Sequence, residues 1–173
     1  MLSKVLKKST CAGCKFCCSF RRCSLWETPL FPMETVERLT TGTLEFKERE
    51  VEGVKCGQMS LEYKYKTDDP EEEAACEFLD PRRGCVLSDK NKPFDCKIWP
   101  LRIMRKEDKL VIALTPTCPA INEVGEQTMR ELVEDGLGRT IYLYAAKNPF
   151  IIKPYKEGFP VLMEFDDINK KPV

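Results

Sequence analysis

Cys11-Ala-Gly-Cys14-Lys-Phe-Cys17-Cys18 places four of the chain's ten cysteines within eight residues. Packing of an apolar core does not call for sulfur at that spacing. Thiolates crowd in this way around a soft, positively charged centre such as zinc or an iron–sulfur cluster. A second dense stretch follows, with Cys76, Cys85 and Cys96 inside about twenty residues, and Cys118-Pro119 comes later. The chain contains no histidine. Mixed Cys/His zinc sites are therefore excluded, and zinc would need four thiolates. Iron–sulfur clusters take an all-thiolate shell, and a C-x2-C-x2-C run with a distant Cys-Pro parallels the bacterial ferredoxin arrangement.

The elements that must hold these cysteines can be read from turn residues and periodicity. Residues 1–10 form a short basic lead-in, either loop or a helical turn, with Ser9-Thr10 placed to cap whatever follows. Asp80-Pro81 and Gly84 predict a hairpin that brings Cys76 and Cys85 together, and Pro93 opens a helical turn carrying Cys96. Met33 to Thr40 reads as a short helix stopped by Gly42, and Thr43 to Lys66 as a hairpin with Cys56 exposed at its turn. Residues 101–114 read as another hairpin. Glu126 to Lys147 has the spacing of a packing helix, broken near Gly136 and Gly138. The run from Phe159 to Phe165 reads as a last strand. The expectation is one α+β domain over residues 1–173, short hairpins and a few helices organised around cysteine-ligated centres.

Composition sets the outer limits. Lys plus Arg and Asp plus Glu are both 28, so no net field draws the chain to nucleic acid or an anionic membrane. The polar first ten residues lack the pattern of an export signal, and no apolar run reaches membrane-spanning length. The expectation is a cytoplasmic protein whose thiols stay free to bind metal rather than forming a disulfide framework. The acidic run from Asp68 to Glu73 lacks the ligand spacing of a calcium loop.

Cys11-x2-Cys14-x2-Cys17-Cys18, Cys76-Glu-Phe-Leu, Gly84-Cys85, Pro93-x2-Cys96-x2-Trp99-Pro100 and Cys118-Pro119 resemble the signature of the YkgJ-type family of zinc- or iron-chelating cysteine-cluster proteins. That signature is similar to the cysteine-rich part of the flagellin lysine N-methylases. The matching positions run from residue 11 to 119. The residue before Pro93, usually arginine in the pattern, is Lys92 here. The resemblance implies a bound metal centre without a settled activity.

Eight thiolates, Cys11, Cys14, Cys17, Cys18, Cys76, Cys85, Cys96 and Cys118, suffice for two four-ligand centres. Because neighbours in an extended segment point apart, Cys17 and Cys18 divide between them. One partition sets Cys11, Cys14, Cys17 and Cys118 against Cys18, Cys76, Cys85 and Cys96; a single cluster with spare thiols is the alternative. Cys23 is either a further ligand or a buried thiol, and Cys56 either a late ligand or an exposed thiol. Lys15, Arg21, Arg22 and Lys97 would moderate the charge of such a centre. Phe16, Trp26, Phe78, Phe94 and Trp99 either shield it or are core.

Three roles remain open at this point. The leading one is an electron carrier with one or two 4Fe–4S clusters and a protein redox partner. The others are a zinc-held interaction module and an accessory part of a methyltransferase-type enzyme. Autonomous catalysis has no constellation to rest on, since glycine-rich nucleotide loops and Ser/His/Asp sets are both missing.

Overall fold

The fold is known from a computed structural model, which describes Leu2, Val5 and residues 7–22, 24, 26–40 and 44–166. The elements run in the order α1 (Lys8–Cys14), β1 (Ser19–Arg21), β2 (Leu30–Pro32), α2 (Met33–Leu39), β3 (Phe46–Val51), β4 (Val54–Met59), β5 (Glu73–Ala75), β6 (Leu79–Asp80) and β7 (Gly84–Cys85). There follow α3 (Phe94–Ile98), β8 (Leu101–Lys106), β9 (Lys109–Leu114), α4 (Pro119–Val124), α5 (Glu126–Leu132), α6 (Gly138–Lys147), β10 (Lys153–Pro154) and β11 (Val161–Asp166). The architecture is α+β. None of the described helices is long and apolar enough to cross a membrane.

The centre of the molecule is the β8–β9 hairpin, flanked by β10 and β11 in a four-stranded sheet. Alternation puts Leu101, Ile103, Leu110, Ile112 and Leu114 into one core with Ile121, Met129, Val133 and Ile141 of the later helices. Met104, Val111 and Ala113 form the other face, under Trp26, Tyr155 and Phe159. Both faces of the hairpin are thus covered at its middle, and Arg102 on β8 is buried.

Between α5 and α6 the helical path is interrupted at Asp135 and Gly136, the latter at φ 99. Glycine reaches that conformation without the steric cost a side chain would add. This is the break expected near the glycines.

A three-stranded sheet, β2–β4–β3, packs on α2 around Phe31, Val36, Met59 and Leu61. A Cβ on Gly57 would lie 2.4 Å from Val36 Cγ2, so this glycine lets α2 sit directly on β4. The β3–β4 turn is Glu52-Gly53, with φ 50 and 78, the doubly left-handed two-residue loop favoured by twisted hairpins. Cys56 is consequently not at the turn and not exposed. It lies inside β4 with no accessible surface.

Two further expectations are corrected at the N-terminus. Helix α1 starts at Lys8, so Ser9 and Thr10 lie inside it rather than capping it. Residues Phe16–Cys18 form a tight helical turn rather than an extended segment, which removes the reason given for pointing Cys17 and Cys18 apart. Helix α2 ends at Leu39; Gly42, like Cys23, lies outside the described residues.

Candidate metal centre

Helix α1 carries Cys11 and Cys14 and stops at Lys15, whose φ of 58 turns the chain while its N–H donates to the Cys11 carbonyl. The turn Phe16–Cys18 follows at once and leads into β1, which pairs with β5. That pairing continues one residue further, where the Cys76 N–H donates to the Cys18 carbonyl at 2.8 Å. The two cysteine-rich stretches are therefore stitched together through the backbone.

Cys85 ends the small β6–β7 hairpin, opposite Leu79, and α1 packs on β7. Gly84 makes that approach possible. It has φ +75, and a Cβ there would stand 3.0 Å from both Cα and Cβ of Ala12. Ala12, between Cys11 and Cys14, is thus matched by Gly84 across the contact. The Lys15 ammonium donates to the Pro81 carbonyl and ties the same two segments together.

Cys96 lies in α3, which Pro93 opens, and Cys118 precedes α4, which Pro119 opens.

The thiols influence one another across these segments. Burial raises the Cys11 thiol, as do Cys118, Cys18 and Cys14, with Lys92 opposing them. Cys17 and Cys18 hydrogen-bond to each other, which holds the Cys17 proton and favours the Cys18 thiolate; Lys92 adds to the latter. Cys96 and Cys11 both act on Cys17. Burial pushes Cys76 up to about 12, with Cys18 and Cys85 contributing. Burial also raises Cys96, helped by Asp95 and Cys76 and opposed by Lys92 and Arg102.

These effects run both within and across the two groups of four. Cys56 stands outside them. Burial raises its thiol too, but the charges acting on it are Lys153 and Arg49. Among the described residues, no group of three or more Cys, Asp or Glu side chains stands in a ready-made metal-binding arrangement. The described cysteines are free thiols.

The charged residues expected around the centre divide differently from the sequence reading. Arg21 pairs with Glu27 and Glu71. Arg22 pairs with Glu62 and Glu72, donates to the Thr67 carbonyl and lies over the Tyr65 ring. Both arginines are committed to carboxylates, while Lys92 is the cation that acts on Cys11, Cys18 and Cys96. Of the aromatic residues, Phe16 is 59% exposed, Phe94 stacks on Tyr144 and Phe78 packs near Phe31.

A buried charged group beside Cys96 was missed. Asp95 and Arg102 are each 2% exposed and meet at 3.1 Å. The approach is too far off line for a hydrogen bond, so both Asp95 carboxylate oxygens and Arg102 Nε and Nη1 lack an aligned partner among the described residues. The guanidinium carbon lies 4.9 Å from the Trp99 ring centre and 5.3 Å from that of Trp26, within cation–π range of both. Lys153, also buried, is acted on by the same two charges; burial lowers its ammonium and Asp95 opposes the shift. The available signal was Arg102 standing alone in the apolar run Leu101-Arg-Ile-Met104.

Comparison of the chain with protein-family models, with curated proteins and with solved structures found no match.

Proposed function

We propose that the chain binds iron–sulfur clusters through the eight motif cysteines and exchanges electrons with a protein partner. The observation that supports this reading is the joining of the Cys11–Cys18 stretch to the Cys76–Cys85 stretch, by the packing of α1 on β7 and the backbone bond from Cys76 to Cys18, in a chain without histidine. The donor set is all sulfur, which suits iron–sulfur chemistry. The glycine cradle at Gly84 lets the Cys11–Cys14 helix close on the Cys85 hairpin. Such a cluster supplies reversible one-electron chemistry when bound.

The chain's own residues would do the rest. The buried thiols favour their protonated form, so loading a soft cation would expel protons from Cys76 and Cys96. Lys92 and Arg102 would offset part of the negative charge that results. Cys11 and Cys14 are exposed, and Phe16 beside them is an exposed apolar side chain, so this edge would face the partner.

A zinc-held interaction module is the second reading, favoured by the packing of the Cys11-x2-Cys14 helix on the Cys85 turn. Single Cys→Ser variants, with iron and zinc counted per chain, test the ligand set. Changing Cys85 or Cys96 should lower the metal content, whereas changing Cys56 should not. Unaltered metal in the Cys85 and Cys96 variants would remove the second half of the site.

A further inference from the structure

Beside the cysteine segments, α2 and the stretch from Lys90 to Lys97 enclose a cleft of about 150 Å³, one of whose lysines, Lys92, also acts on the thiols. Three lysines line it, Lys90, Lys92 and Lys97, against one carboxylate, Glu34. None of the three has a carboxylate partner within ion-pair distance among the described residues. Elsewhere on the surface lysines do find partners, as in Lys47–Glu62, Lys55–Glu48, Lys64–Glu77 and Lys109–Asp166. Lys92 and Lys97 are only partly exposed, so part of their solvation is given up without a compensating ion pair.

Neutral donors are held at the same place. Arg38 Nε donates to Asn91 Oδ1 at 3.2 Å, which fixes the amide and leaves its NH2 group without a protein acceptor among the described residues. The Asn91 and Lys92 N–H groups both donate to the Ser88 carbonyl, at 3.0 and 2.9 Å, so the loop bearing two of the lysines is an ordered turn. Across the cleft the Tyr144 ring is stacked on Phe94, with centres 3.9 Å apart and planes 5° from parallel. Its hydroxyl has no hydrogen-bond partner among the described residues and stays a neutral donor, since burial, Asp95 and Glu34 push its pKa up to about 12.

Three ammoniums, an amide and a phenol thus line one concavity, with positive charge in excess. Lysine ammoniums are point charges with several donors and serve as phosphate binders, and three of them against one carboxylate suit a multiply charged anion better than a singly charged one. We propose that this cleft is a binding site for the phosphoryl group of a small molecule, with Lys90, Lys92 and Lys97 supplying the charge and Asn91 and Tyr144 the orientation. The cleft shares Lys92 with the surroundings of the thiols, so the test leaves Lys92 unchanged and varies Lys90 and Lys97.

Calorimetric titration of the purified protein with inorganic phosphate and with pyrophosphate, at low and at physiological salt, tests it. One pyrophosphate per chain should bind, more weakly as salt rises. The double variant K90Q/K97Q should weaken binding at least about tenfold, the loss of roughly 1.4 kcal/mol. Y144F should weaken it a few-fold with the charge unchanged. The control K47Q/K55Q removes the same charge from paired lysines and should leave affinity within about twofold. Absence of saturation below about 10 mM pyrophosphate would overturn the proposal. So would equal weakening in the control, because binding would then follow net charge rather than the cleft.

Discussion

Replacing Arg102 by methionine removes the cation that faces Asp95 inside the molecule. The two groups meet at 3.1 Å with each side chain 2% exposed. At an effective dielectric constant of about 20, unit charges at that separation interact by roughly 5 kcal/mol. Breaking a buried pair from one side costs about 3–5 kcal/mol, because the remaining charge is left without compensation. Lys153 still acts on Asp95, and methionine still packs against Trp26 and Trp99, so the expected loss is at the lower end, about 3 kcal/mol. For a chain of this size that is a fall in Tm of roughly 10 °C. Urea unfolding of R102M, D95N and the double variant D95L/R102M gives the assay. Each single variant should lose about 3 kcal/mol, whereas the double variant, which removes both charges, should be more stable than either single. D95N leaves two buried cations, a strain that Lys153 relieves by losing its proton, so its deficit should shrink as pH rises. A loss below about 1 kcal/mol in R102M, or a double variant as unstable as the sum of the singles, would refute the reasoning.

Other consequences can be tested separately. G84A should lose about 2 kcal/mol in urea unfolding, because it combines a left-handed backbone with a Cβ 3.0 Å from Ala12, and its metal content should fall with it. Wild-type behaviour in both measurements would remove the cradle from the account. Glu72 accepts from the N–H groups of Lys66 and Thr67 and from the Thr67 hydroxyl, which together hold its carboxyl down to about 2. Because the folded value is depressed, its stabilisation is complete above about pH 4.5 and is lost as pH falls toward 2. E72Q should therefore flatten the fall in stability between those limits; an unchanged slope would mean that other carboxylates carry it.

Much of the scaffold was legible where apolar alternation and punctuating residues agree. The 101–114 hairpin, the helical turn opened by Pro93, the break at Gly136 and the last strand all follow from local chemistry. The turn before Cys85 is a similar case, since Asp80 caps it by accepting from the Arg82 and Arg83 N–H groups, although Cys85 pairs with Leu79 and Cys76 lies ahead of the hairpin. The β3–β4 turn was misplaced because Gly53 and Gly57 offered competing positions. What separates them is tertiary, as Gly57 is required by the approach of Val36 from α2. Helix α1 was legible only as a helical turn before Cys11, because Cys-x2-Cys has no apolar periodicity to extend it. The Asp95–Arg102 pair could not be read locally either, since it depends on the chain reversing between α3 and β8. The two cysteine-rich stretches were legible as a spacing, but the backbone bond from Cys76 to Cys18 that joins them was not.

The central claim is that these thiolates hold iron and sulfide. The direct measurement is iron, acid-labile sulfide and zinc per chain on protein purified without oxygen, with its visible spectrum before and after dithionite. About four or eight irons with matching sulfide, for one or two four-iron clusters, and a visible band that bleaches on reduction are the expected result. A colourless protein carrying one or two zincs and no sulfide would contradict it.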